Sequence, residues 1–422
     1  MITRLLTTTA VLLAAGLPAA EAATVKFDCT LTGNGKEYCN YIKERFEKET
    51  GNTLEFVELP FASDEKLSLF QQVFAAKDGS VIDVFSVDTV WLGQLDKHLA
   101  DLTDDLSDLK PQFFPAAWNN DVVNGRLKAI PRLMDAGLLY YRTDLLEKYG
   151  EKPPETWADL KRVAERIQKG EQDAGNAKMT GFVFQGKAYE GLTCDALEWV
   201  SSFGGGTFID DNGAVTIDNP AAARAFDTAA SWLGSISSKG TLGYMEEESR
   251  AVFQNGDAVF MRNWPYAYVL AQDSSSPIKG KVGIAPLPSG GADGRHSAAL
   301  GGWQWGVSAY SQHKAESEQL IRILSDEAAQ KKAFFLLGNS PALTALYDQP
   351  DVLAVNPIIG SLKPVFEAAT PRPASPVKNQ YGAVSKAIYN AAFDVLSGRA
   401  TGTQAVADLQ TKLKRIKGQA WK

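Results

Sequence analysis

The segment Phe260-Met-Arg-Asn-Trp-Pro-Tyr-Ala-Tyr268 gathers a Trp, a Pro and two Tyr directly after the strand-like Ala258-Val259-Phe260. Proline fixes φ and lacks a backbone donor, so Pro265 is expected to stop the strand and hold the rings in a fixed turn. The chemistry such rings offer is stacking: an aromatic face is the negative end of a quadrupole, and the axial C–H face of a pyranose is positive. A site of that kind needs carboxylates, Arg and amides at its rim for the hydroxyls. Asp88, at the end of the apolar run 81–87, and Asp135, in a segment that reads as crossing between lobes, are candidates for that rim. Open α/β sheets bind ligands beyond the carboxyl ends of their strands. Each residue also has a plainer reading, since a lone Asp often caps a helix or makes a turn and Trp264 can fill a core.

Other chemistries find less support. Gly181 to Lys187 has the spacing of a phosphate-binding loop, but Ala188 stands where a Ser or Thr must ligate magnesium. The three histidines, His98, His296 and His313, have no Cys, His or paired carboxylate at metal-ligand spacing. There is no Gly-x-Ser-x-Gly nucleophile turn, and neither Gly33-Asn34-Gly35 nor Gly204-Gly205-Gly206 completes a dinucleotide fingerprint. These glycines are expected to form tight turns or let backbone approach a ligand. Asp88, Asp135 and Glu37 could furnish the acid and nucleophile of a periplasmic glycoside hydrolase, chemistry that needs two carboxyls about 5–10 Å apart across one bond. No cofactor and no metal are implied.

Residues 1–23 have a cationic start at Arg4, an apolar run over 10–17 and the small residues Ala20-Glu21-Ala22-Ala23, the pattern of a secretory leader cleaved after Ala22. That run is shorter than the roughly 20 residues a bilayer span needs, and no cysteine sits at the cleavage site to take a lipid. The mature chain is therefore expected to be soluble in a Gram-negative periplasm. A formal charge of −7 argues against nucleic acid or anionic lipid as partner. In an oxidising compartment Cys29 and Cys39 read either as a disulfide closing a short loop, worth roughly 3 kcal/mol, or as two buried thiols. Cys194 reads as a small core residue.

About 400 mature residues exceed one hydrophobic core, so two domains are expected. Strands are predicted over 24–27, 54–59, 81–87, 127–130 and 137–141, and a turn at 33–35. Tyr38, Ile42 and Phe46 recur at helical spacing, 66–75 reads as a second helix, and Thr156 with Asp159 forms a capping box before Leu160, Val163, Ala164 and Ile167. This alternation predicts parallel-type α/β sheets, and the C-terminus reads as helices over 383–396 and 405–416. No Pro/Gly/Ser-rich linker interrupts the chain, so structured crossings suited to a hinge are expected to join the domains.

Long segments carry a resemblance. Asp135-Ala-Gly-Leu-Leu-Tyr-Tyr-Arg-Thr-Asp-Leu-Leu-Glu-Lys-Tyr-Gly150, Tyr189-Glu-Gly-Leu-Thr-Cys194, Glu246-Glu-Glu-Ser-Arg250, Arg262-Asn-Trp-Pro-Tyr-Ala-Tyr268, Leu300-Gly-Gly-Trp303, Leu346-Tyr-Asp348 and Pro371-Arg-Pro373 resemble the trehalose/maltose-binding proteins of ABC importers, in the family's order. The resemblance implies a type II periplasmic-binding-protein fold: two α/β lobes joined by three crossings, with a small oligosaccharide between them. It implies that Trp264, Tyr266 and Trp303 stack on the sugar, that Asp88, Asp135 and Arg372 bond its hydroxyls, and that Gly301 contributes backbone. Glu37 is matched to an N-terminal sugar-contacting acid, and Ser63 and Asp64 to a ligand-touching loop. The sequence departs from the family's pattern at Arg132-Leu133-Met134, where relatives often place an aromatic, and in Phe61-Ala62-Ser63-Asp64, which lacks an expected Arg.

The organisation implied is a leader at 1–22, an N-terminal lobe of 23–132 plus about 303–343, and a C-terminal lobe of 133–302 plus about 344–422. The expected partner is an ABC permease, to which a monomeric, non-enzymatic binder delivers a trehalose-, maltose- or sucrose-type α-glucoside. A second expectation on the same scaffold is a polyol, a glycosyl-glycerol or a sulfonated relative.

Overall fold

The computed structural model describes residues 22–31, 33–60, 62–291 and 294–421. The expected leader lies outside the described residues except for Ala22, and so does Phe61. The strands, in chain order, are β1 (Thr24–Asp28), β2 (Thr53–Val57), β3 (Val84–Asp88), β4 (Val122–Val123), β5 (Arg126–Leu127), β6 (Ile130–Ala136), β7 (Leu138–Arg142), β8 (Thr180–Val183), β9 (Ala258–Asn263), β10 (Val282–Ala285) and β11 (Leu300–Val307). They form a five-stranded sheet ordered β2-β1-β3-β11-β6, a four-stranded sheet ordered β10-β7-β9-β8, and the small hairpin β4-β5.

Parallel pairing, expected throughout, holds for β1 with β2 and β3 and for β8 with β9. β11 runs antiparallel to β3 and β6, and β7 antiparallel to β9 and β10. The reason lies in the crossings. β6 ends in the first sheet and β7 begins in the second, with Gly137 alone between them, while β11 enters the first sheet after β10 has left the second. Such strands are not held to the direction that a helical crossover imposes within one sheet.

Gly137 is required at its crossing, because a Cβ there would lie 2.0 Å from Glu198 Oε1 and 2.7 Å from Arg262 Nη2. The first sheet runs on to Ala136 and resumes at Leu300, past the expected lobe edges at 132 and 303. The helices Pro350–Val355 and Ile359–Ala368, expected with the second lobe, pack against the helix Glu327–Leu337 and β6 of the first.

Local expectations differ in two places. Gly33-Asn34-Gly35 is the first turn of the helix Gly33–Thr50, not a turn ahead of it. A Cβ on Gly35 would sit 2.8 Å from the Thr30 carbonyl oxygen, so the glycine serves close packing. The strand expected over 127–130 divides between β5 and β6. Elsewhere the Thr156 hydroxyl accepts from the Asp159 amide at 3.1 Å and opens the helix Trp157–Asp173, whose Leu160, Val163, Ala164 and Ile167 are buried.

The first lobe packs Val25, Phe27, Ile42, Phe46, Leu54 and Val84 into one core. A disulfide ties Cys29, just past β1, to Cys39 in the helix Gly33–Thr50, with Cα atoms 6.1 Å apart. In the second lobe Trp157, Trp199 and Trp232 cluster with ring centroids 5.1 Å and 5.7 Å apart around Trp232. Burying one such ring stabilises by about 2–3 kcal/mol. The helices Tyr381–Leu396 and Gly402–Lys417 pack on the second lobe's helices Glu190–Ser202 and Pro220–Ala230.

Candidate ligand-binding cleft

The ends of β3, β6, β9 and β11 converge on a cavity of about 440 Å³. From the first lobe Asp88, Asp135, Gly301, Trp303 and Ser63 line it; from the second, Trp264 and Tyr266; Arg372 comes from the segment that leads back into the second lobe. Two candidates stand apart. Glu37 is exposed on the helix Gly33–Thr50 and accepts from Lys332 Nζ at 2.9 Å, so it is no part of the cavity wall. Asp64 lies in the first turn of the helix Ser63–Ala75 and is also outside the wall, since only its neighbour Ser63 turns inward.

The first wall is built on β3 and β11. Their register sets Trp303 opposite Asp88, so ring and carboxylate share one stretch of sheet. Trp91 packs edge-on against Trp303 with centroids 5.4 Å apart, and Lys66 Nζ lies 5.1 Å above the Trp303 ring. Asp88 is already engaged: Ser63 Oγ donates to it at 2.8 Å and Arg372 Nη2 at 2.8 Å. Arg372 Nη1 donates at 2.8 Å to Glu190, which also accepts from Tyr381 and Ser385. One buried guanidinium thus bridges a carboxylate of each lobe. Burial raises the Glu190 pKa, with Arg372 opposing.

The second wall is the turn after β9, and its base is ionic. Arg262, fully buried, pairs with Asp195 at 3.1 Å and with Glu198, and its Nη1 donates to Gln185 at 3.1 Å. Although burial opposes it, Glu198 and Asp195 hold the Arg262 pKa above the ordinary arginine range. The guanidinium lies 4.0 Å from the Trp264 ring centroid and supports that ring from behind. Trp264 Nε1 donates to Glu246 at 3.3 Å, and the Tyr140 hydroxyl donates to the Trp264 carbonyl at 2.7 Å. Tyr266 donates to Glu247 at 2.6 Å and Tyr189 to Glu246 at 2.7 Å. The strand stops at Asn263, and Pro265 precedes the short helix Tyr266–Ala271.

Gly301 lets the two walls meet. A Cβ there would come within 2.9 Å of the Asp135 Cβ and 3.0 Å of the Trp264 ring. Asp135 faces the cavity with no hydrogen-bond partner for its carboxyl among the described residues. Burial, helped by the charges of Asp88 and Glu246 and opposed by Arg262 and Arg132, pushes its pKa up to about 8.

Sequence reasoning assigned no role to Glu190, Glu246, Glu247, Tyr189 or Lys66, all of which line the cavity, and it placed Arg132 only in a ligand-touching departure from the family's pattern. The signal was present for four of them. Tyr189-Glu190 and Glu246-Glu247 open two of the segments that carry the family resemblance, yet their function depends on Arg372 and on the Trp264 turn, both distant in the chain.

Two lobes, strand crossings between them and a cleft of aromatic and charged groups define the type II periplasmic-binding-protein class, whose members hold a solute between domains. The model of the bacterial extracellular solute-binding protein family matches residues 30–331, and the chain belongs to that family. It is 44% identical over 405 residues to the "Probable ABC transporter-binding protein" of Deinococcus radiodurans, covering 95% of this chain and 96% of that one. It is 24% identical over 403 residues to the maltodextrin-binding protein MdxE of Bacillus subtilis, covering 90% and 88% of the two chains. Among solved structures it is similar to T. maritima MalE3 with maltose bound, at 36% identity and a TM-score of 0.88, covering 94% of this chain and all of the other. The family binds solutes and does not transform them, so the chain is a binding protein and not an enzyme. Among the described residues no helix is long and apolar enough to cross a membrane.

Proposed function

We propose that this chain captures a small α-glucoside of the trehalose, maltose or sucrose type in its interlobe cleft. It acts in the periplasm after loss of its leader, and hands the sugar as a monomer to the permease of an ABC importer. The observation that carries the reading is the pairing of aromatic faces from both lobes, Trp303 on one and Trp264 and Tyr266 on the other, around the unpartnered Asp135. Rings offer the C–H faces of a pyranose a stacking surface, and carboxylates and guanidinium take its hydroxyls. The likeness to a maltose-bound protein at 36% identity supports the same ligand class. Lobe closure on the sugar follows from contacts made only in the closed form, Asp88 and Arg372 on one side and the Trp264 turn on the other.

The test is the melting temperature of the chain from Ala23 against trehalose, maltose, sucrose, palatinose, glycerol glycosides and sugar alcohols. A ligand that binds only the folded state at a hundredfold excess over its Kd adds about 2.7 kcal/mol of stability. A rise with one α-glucoside, lost in Trp264→Ala, supports the reading. A rise with a sugar alcohol or glycerol glycoside alone replaces the disaccharide by a polyol or a glycosyl-glycerol, and no rise with any member of the panel overturns the reading of a neutral carbohydrate.

A further inference from the structure

The β6–β11 register contains one irregularity, and it falls on a residue with unused hydrogen-bonding capacity. Leu133 pairs with Trp303 and Pro131 with Gln304, which leaves Arg132 as the extra residue of a β-bulge. Bulges re-aim side chains, and this one turns Arg132 toward the cleft beside Leu133. Its carbonyl is occupied, accepting from Gln330 Nε2 at 3.0 Å. Its guanidinium lies 4.2 Å from the Trp305 ring centroid and, among the described residues, has no hydrogen bond and no ion pair.

The other cleft cations differ. Lys66 has Asp28 at 3.4 Å, and Arg372 has Asp88 and Glu190. One oxygen of Asp28, Oδ2, accepts from Lys66, from the Ser86 amide at 3.1 Å and from the Ser86 hydroxyl. Lys66 pairs with Asp28, whereas Arg132 feels the charges of Asp28 and Asp135 only at longer range, without an ion pair to either. Arg132, Lys66, Asp28, Tyr38 and Trp305 enclose a side chamber of about 50 Å³ that shares its wall with the main cavity. A water needs roughly 10–15 Å³ of such space, so a group of two or three heavy atoms fits.

A half-buried guanidinium without a hydrogen-bond acceptor is costly, and among the described residues this one has only the Trp305 ring and the longer-range charges of Asp28 and Asp135. Its planar fork matches two oxygens of one oxyanion. A chamber of about 50 Å³ suits the three heavy atoms of a carboxylate better than the bulkier phosphate. We propose that the solute is an α-glucoside bearing a carboxylate, such as a glycosylated hydroxy acid or an aldonic disaccharide, and that Arg132 receives that carboxylate in the side chamber. This rests on the carbohydrate reading above and narrows its ligand class.

The test is calorimetric titration at pH 7 with matched pairs differing only in the acid: maltitol against maltobionate, and glucosylglycerol against glucosylglycerate. The expected result is at least tenfold tighter binding of the acid in one pair. That preference should disappear in Arg132→Gln and shrink in Arg132→Lys, which keeps the charge and loses the fork. A neutral member that binds as well as its acid overturns the inference and leaves the carbohydrate reading standing. An acid preference that survives Arg132→Gln overturns the assignment to Arg132. Binding of neither member of either pair, with no response to the neutral panel, removes both readings together. The wild-type comparison needs no variant to fold.

Discussion

Asp135→Asn should make the unliganded protein more stable at alkaline pH while weakening its hold on ligand. The Asp135 carboxyl goes from an ordinary value of 3.8 to about 8 in the folded cleft, chiefly through burial. Between those values the folded state keeps a proton that the unfolded chain has released, so stability falls as pH rises. Below about pH 4 both states are protonated and the group costs nothing; above about pH 8 the cost is complete. Each pH unit crossed is worth about 1.4 kcal/mol, which sets a limit of about 6 kcal/mol for the whole window. The carboxyl opens on the cleft, so about half that limit, roughly 3 kcal/mol, is the expected gain for an amide that cannot ionise. For a unit of lobe size that corresponds to roughly 6–12 °C in melting temperature. The assay is thermal unfolding of both proteins at half-unit steps from pH 4 to pH 9 without ligand. The curves should coincide near pH 4 and separate steadily, the variant lying higher. Parallel curves across the range would refute the argument, because they would mean that the carboxylate is solvated or paired in the folded state.

Trp264→Ala removes a ring held between the Arg262 guanidinium and the cavity, and should weaken ligand binding by about 2 kcal/mol, roughly thirtyfold, in a calorimetric titration. Gly137→Ala places a methyl group 2.0 Å from Glu198 Oε1 at the β6–β7 crossing, and should cost about 3 kcal/mol or more, read as a lower denaturation midpoint or loss of soluble protein. Replacing both Cys29 and Cys39 by Ser opens a short loop with a sequence separation of 10 and should cost about 3 kcal/mol by the loop-entropy estimate; equal unfolding with and without reductant in the wild type would contradict it.

Much of the framework was legible because it depends on neighbours in sequence. The buried faces of Gly33–Thr50 and Trp157–Asp173 recur every three or four residues, β1 follows from alternating residues ahead of a helix, and β7 from a short apolar run. What escaped depends on partners far along the chain. The β6 bulge exists only in its register with β11, some 170 residues later, so no pattern around Arg132 could announce it. The helix start at Gly33 was read as a turn because three residues rich in glycine ordinarily mean one. Here the absent Cβ of Gly35 admits Thr30, and the disulfide from Cys39, in the second turn, ties the helix to the chain just past β1. The aromatic turn and the three polar residues Asp88, Asp135 and Arg372, named from the sequence, line one cavity. The distant Glu37 does not, because a loosely matched loop cannot fix which helix face its acid occupies, and this one faces Lys332.

The groups that the protein leaves unsatisfied constrain the ligand more closely than the groups it pairs. Without the bulge, residues 132 and 135 would point to opposite sides of the sheet, since side chains alternate along a strand. With it, both line the cavity from one strand, and both are donors at neutral pH: Arg132 by its charge, Asp135 because its proton is retained to about pH 8. That wall therefore asks for acceptor oxygens. The opposite requirement holds at the other side, where the Glu246, Glu247 and Glu190 carboxylates line the cavity as acceptors and favour hydroxyl hydrogens. A pyranose between Trp303 and the Trp264 turn, with its hydroxyls toward those acids and an acidic substituent toward β6, meets both demands at once. A neutral disaccharide can meet both through its hydroxyls, which donate and accept, but it brings no negative charge to the Arg132 guanidinium.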